Sequence, residues 1–129
     1  MKLHKPLAVT MVAVVLGLPL LAQAEGDWKR GRVYYRMVCT ACHVEKAGAS
    51  IAPSTKTKAE WAAYMTADKH AKGKDSVKYY VSKKYRASIK ATNKAAEKYA
   101  DVPEAELLED VKAFVNHGAK DSDNPAGCS

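Results

Sequence analysis

The densest run of reactive side chains in the sequence is Cys39-Thr40-Ala41-Cys42-His43. Two thiols three residues apart, followed directly by an imidazole, form the C-x-x-C-H signature by which haem c is attached to protein. The spacing has a chemical reason. Each thiol adds across one vinyl group of the porphyrin, so both must project from one short turn of chain. The adjacent imidazole then lies under the iron and serves as its proximal ligand. A covalent tether also retains a large cofactor in a domain too small to trap it by burial alone. C-x-x-C by itself is equally half of a zinc site or a thioredoxin-type redox pair. A tetrahedral zinc site needs a second pair of Cys or His ligands, and the one remaining cysteine is Cys128. A thioredoxin-type pair needs a βαβ pattern, which this sequence lacks. One covalently attached haem c is the expectation, with a disulfide or a metal site as the alternative.

The first 24 residues agree with that chemistry. Lys2 and Lys5 give a positive start, Leu7 to Leu21 is almost wholly apolar, and Ala22-Gln23-Ala24 is an A-x-A cleavage site,. The apolar run is short for a membrane span of about 20 residues. No Cys lies near the cleavage site to carry a lipid. The expectation is a signal peptide over residues 1–24, with an uncleaved N-terminal anchor as the alternative. Residues 25–129 then form one domain. It is periplasmic or otherwise exported, the compartment in which bacteria attach haem c, and it keeps no stable membrane span.

Charge narrows the partners. Lys and Arg number 21 against 14 Asp and Glu, a formal charge of +7. Loss of Lys2 and Lys5 leaves the balance basic, and two haem propionates lower it further. The Lys residues concentrate between Lys69 and Lys98, while Glu104 to Asp123 is mostly acidic. Nucleic-acid binding would need Arg and aromatic interleaving on a known module, which is lacking. The Lys-rich stretch reads first as a solvated helix face. Its functional reading is a docking patch for an acidic redox partner, acting by electrostatic steering.

Several elements must position the motif. Asp27 is a candidate N-cap for a first helix over Trp28 to Val38. Val44 to Pro53 reads as loop. Thr57 and Glu60 form a capping-box pattern that opens a short helix with Trp61, Tyr64 and Met65. That trio is either a core stripe or a haem wall, with the Trp61 N–H available to a propionate or a backbone carbonyl. After a break at Gly73, the spacing Val77, Val81, Tyr85, Ile89 predicts a long amphipathic helix over 75–101, which Asn93 could divide. Val102-Pro103 ends it. A last helix carries Leu107, Leu108, Val111, Phe114 and Val115, and His117-Gly118 closes it. Asp121 to Asn124 lacks the glycine and distant Glu of a calcium loop. Cys128 is the odd cysteine, read first as a free thiol, with an intermolecular disulfide or a ligand role as the alternatives.

Gly31, Tyr35 and Cys39 recur four apart, and Val111 and Phe114 lie three apart in the last helix. In these features the chain resembles the class I cytochromes c, in order from first helix to last. The resemblance implies an all-α, cytochrome c-like fold, about four helices around one covalently attached haem. It implies that the first and last helices cross at the glycine. It also implies that the carbonyl of Pro53 accepts a hydrogen bond from His43, and that His43 is the proximal iron ligand.

The sixth ligand stays open. After the motif the one methionine is Met65, and the further histidines are His70 and His117. The family's distal Met sits in a later loop, often before Pro, and this chain has none there. A Trp61–Met65–His70 run resembles one found in haem domains of some quinohaemoprotein dehydrogenases. The order of preference is Met65, then His70, then an open iron, with His117 structural. The expected function is one-electron transfer between periplasmic redox partners by a monomer that is not itself an enzyme. The rivals are a haem sensor with an open sixth site and the haem subunit of a larger oxidoreductase. N-terminal sequencing of the exported protein should begin at Glu25; an exported chain that still begins at Met1 would contradict the signal-peptide reading.

Overall fold

Asp27 opens the first helix. Its carboxylate accepts hydrogen bonds from the Lys29 and Arg30 amides at 2.9 and 3.2 Å. These are two of the donors that every helix start leaves without an internal partner. The structure, a computed structural model, describes residues 25–48, 51–70 and 75–126. The signal-peptide expectation, the Gly73 break and Cys128 lie outside them. Helix α1 (Trp28–Tyr34) runs without a break into a π-helical turn (Tyr35–Thr40) and then into α2 (Ala41–Ala47). The helical backbone thus extends beyond Val38 into the stretch expected to be loop. No Gly or Pro lies between Val38 and Ala47 to stop it. Gly48, at φ 70°, ends it in the left-handed conformation that glycine adopts at little cost,.

The last helix, α7 (Glu104–His117), crosses α1, and this pair forms the most extensive interface between elements. The crossing is close enough to exclude side chains. A Cβ on Gly31 would lie 1.9 Å from the Asp110 carbonyl oxygen, and one on Gly26 would lie 2.1 Å from that of Glu109. On either side of the contact Tyr35 packs tilted against Phe114 at 5.3 Å, and Trp28 stacks on His117 at 4.1 Å. His117 is therefore spoken for by packing. A polar clamp completes the crossing. The Asp110 carboxylate, buried to 1 % side-chain exposure, accepts from the Asp27 amide at 2.7 Å and pairs with the Arg30 guanidinium, which also reaches Glu106. A buried carboxylate is tolerated only when paired and hydrogen-bonded in this way.

A 3₁₀ turn (Pro53–Thr55) leads to α3 (Lys58–Ala67). The capping box is formed as expected: the Thr57 hydroxyl accepts from the Glu60 amide at 3.2 Å, and the Glu60 carboxylate accepts from the Thr57 amide at 2.8 Å. Trp61 and Met65 are buried in the core.

The long helix expected over 75–101 is instead three short ones: α4 (Val77–Val81), α5 (Lys83–Ile89) and α6 (Lys94–Lys98). Local side chains compete with the helix at both joints. Ser82 is extended and its hydroxyl accepts from the Tyr85 amide. Asn93 is extended and its carbonyl caps Ala95 and Ala96. Arg86 then fixes the fold-back. Fully buried, it donates to the carbonyls of Ser82, Tyr99, Ala100 and Val102. Of the apolar spacing, Val81 is buried and Val77, Tyr85 and Ile89 pack partly buried against the core, but a period cannot show where caps divide a helix.

The described residues contain no strand, and the fold is all-α. Among them no helix is long and apolar enough to cross a membrane. Gly31→Ala separates sterics from propensity. Alanine should gain about 1 kcal/mol of helix propensity, but overpacking costs about 1–3 kcal/mol or more, and a contact of 1.9 Å leaves no room. Urea unfolding should show net destabilisation; a stabilised variant would contradict the close crossing.

Candidate functional site

Cys39 lies near the end of the π-helical turn, and Cys42 and His43 lie in the first turn of α2. Helical spacings of three and four put the three side chains on one face. All three are half-buried, and both thiols are free. The Cys39 thiol is pushed up to about 12 by burial and by the neighbouring Cys42. A redox-active dithiol needs the opposite shift, toward an accessible thiolate. Burial, and then the proximity of His70, lowers the pKa of His43. That favours the neutral imidazole, the form that binds metals.

The ring beside His43 is that of His70. Their centroids are 5.4 Å apart and their planes differ by 49°. Behind His70 stands an aromatic wall from α4 and α5. Tyr80 meets His70 at 5.0 Å and Tyr85 at 5.1 Å, with Tyr79 against both tyrosines. The thiols face the same wall. Burial first, then Cys42 and Cys39, push the Tyr85 phenol up to about 12. Tyr34 sits beneath, also shifted up by burial and Cys39, and its hydroxyl donates to the Tyr80 carbonyl at 2.6 Å.

Two polar residues hold this arrangement. Asp68 ends α3 in the left-handed region at φ 50°, a conformation a non-glycine residue rarely adopts,. Its carboxylate accepts from the Lys78 amide at 2.9 Å, tying the end of α3 to the start of α4 on either side of His70. Asn93 donates to the Met37 carbonyl at 2.7 Å while capping α6, so it ties the π-helical turn to α6. His70 itself carries a buried ring nitrogen, Nδ1, with no hydrogen-bond partner among the described residues.

Met65, the first choice for the distal site, is not placed with His70. Trp61 and Met65, four apart on α3, share a face turned to α7, where they line a groove with Glu109, Lys112 and Asn116. His70 lies beyond the left-handed turn at Asp68 and leaves that face. The Pro53 carbonyl, expected to accept from His43, accepts instead from Trp61 Nε1 at 2.7 Å. Among the described residues His43 makes no hydrogen bond to it. Lys69, Lys78, Lys83, Lys84, Lys90, Lys94 and Lys98 are all exposed.

The donor set fits a tethered haem: two thiols and an imidazole on one face, a second imidazole beside them, and an aromatic wall. Among the described residues no group of three or more His, Cys, Asp or Glu residues could hold a bare metal ion. Sequence reasoning missed Asp68, Asp110 and Arg86, whose partners lie 10 to 83 residues away or in backbone carbonyls. No local pattern marks such partners. Asn93 did carry a signal, as a capping residue inside an apolar period.

No protein-family model, no curated protein and no solved structure matches the chain. Asn93→Ala removes both the α6 cap and the tie to Met37. It should cost about 1–2 kcal/mol in denaturant unfolding. Asn93→Asp retains the cap oxygen and should cost less; equal losses would show that the cap contributes nothing.

Proposed function

We propose that this chain is a small exported cytochrome c that carries single electrons between redox partners outside the cytoplasmic membrane. The observation that carries the reading is the placement of Cys39, Cys42 and His43 on one helical face that meets a second imidazole and an aromatic wall. Cys39 and Cys42 would tether the porphyrin, and His43 would be its proximal ligand. Bound haem supplies a one-electron ferric–ferrous couple. The chain's own part is to fix ligands and exclude water. Tyr80 and Tyr85 supply aromatic ring faces at the site, and the Tyr34 hydroxyl is already satisfied by a backbone carbonyl.

A class I-type, cytochrome c-like fold is part of the same proposal. It is supported by the crossing at Gly31 and by the Tyr35–Phe114 contact. The exposed lysines between Lys69 and Lys98 would meet an acidic partner. Such rim charges act mainly on association rate and on its salt dependence. The ring of His70 beside His43 disfavours the sensor with an open sixth site.

The test is covalent haem. The protein produced with its signal peptide and a c-type maturation system should keep its haem through denaturation and extraction, and should cycle reversibly on addition of reductant and oxidant. Cys39→Ala and Cys42→Ala should each leave one thioether and shift the reduced haemochrome band. The double variant should lose covalent haem altogether. Haem extractable from the parent protein would overturn the proposal.

A further inference from the structure

We propose, on the strength of the haem c reading, that His70 is the second axial ligand and that the iron site is bis-histidine, with Met65 a core residue. Three observations converge on His70. Its ring is the one that meets His43, at 5.4 Å between centroids. Metal–imidazole bonds are about 2.0–2.1 Å long, so two imidazoles on one ion sit roughly 6 Å apart, centroid to centroid. The observed centroid spacing is thus within about an ångström of that expected for two rings on one metal,. Opposed imidazoles on one ion can twist about their common axis, so a 49° angle between planes is compatible with it.

The second observation is an unmet need. Nδ1 of His70 is buried without a hydrogen-bond partner among the described residues. An orphaned buried polar atom costs about 1–3 kcal/mol and calls for an explanation. Either ring nitrogen of a neutral imidazole can ligate a metal, leaving the other to be oriented by its surroundings. The third observation is positioning. The left-handed Asp68, two residues before His70, accepts a hydrogen bond from the Lys78 amide at the start of α4, and the Tyr80 ring packs on His70 itself. That holding is costly, because Asp68 occupies a sparsely populated backbone region.

Met65 has the opposite character. It is 8 % exposed, packs in the core and lines the α7-facing groove with Trp61. Withdrawing it toward the motif would leave a cavity beside Trp61, and emptied core volume destabilises. A second His in place of Met also sets a lower potential than His/Met ligation.

The test uses the full haem-loaded protein and its ferric optical and electron paramagnetic resonance spectra. The parent should be low-spin and lack the red-edge charge-transfer band of methionine-ligated haem. Met65→Leu should leave those spectra unchanged. His70→Ala should become high-spin and bind carbon monoxide rapidly when reduced, and added imidazole should restore the low-spin spectrum. His70→Met should raise the midpoint potential. A methionine band in the parent that disappears in Met65→Leu would overturn the assignment and leave the cytochrome reading standing. So would a low-spin His70→Ala protein without imidazole. If His70→Ala fails to fold, the parent and Met65→Leu spectra still decide. A parent without covalent haem would bring down both readings.

Discussion

The crossing of the first and last helices is the constraint on which everything else depends. Backbone meets backbone at Gly31 and Gly26, and no side chain fits between. Asp110 is thereby carried into the interior, where Arg30 and the Asp27 amide must neutralise it. Removing one partner of such a buried pair leaves an uncompensated charge, which costs far more than the pair contributes when intact. Close approach, ion pair and N-cap are therefore one unit. They set the direction of the helical rod that carries the motif, from residue 28 to residue 47.

From that fixed rod the site is built outward. The π-helical turn at Tyr35–Thr40 interrupts the regular ladder and carries Cys39 near its end, and such turns occur frequently at functional positions,. The Met37 carbonyl there accepts from Asn93 of the α6 cap. The opposite wall comes from a segment that the sequence alone makes look like one helix. Its division into α4, α5 and α6 lets Tyr79, Tyr80 and Tyr85 gather on one side, while Arg86 gathers the carbonyls of the return. A straight helix would carry those tyrosines around its own axis and away from His70.

The all-α class, the Asp27 cap, the capping box at Thr57 and the buried Val111–Phe114 face were all legible in the sequence. Each is a local pattern with a local cause. The five residues of the motif state their spacing directly, and that spacing puts Cys39, Cys42 and His43 on one helical face. What was not legible depends on distance. Met65 ranks before His70 on sequence because the family resemblance implies a distal methionine, and what the sequence could not show is that the Trp61–Met65 face turns toward α7. His70 follows a left-handed residue, Asp68; aspartate is among the few non-glycine residues that adopt this conformation, but most aspartates do not, so the sequence does not mark which one will. Arg86 looked like one more cation in a basic stretch and is instead fully buried. The Pro53 carbonyl, given to His43 by resemblance, is held by Trp61.

The central claim is that Cys39 and Cys42 hold a haem by thioether bonds. The most direct measurement is the intact mass of the exported protein under denaturing conditions. The account predicts a chain beginning at Glu25 whose mass exceeds that of the polypeptide by one haem. A mass equal to the polypeptide alone, or lower by the two hydrogens of a Cys39–Cys42 disulfide, would contradict it.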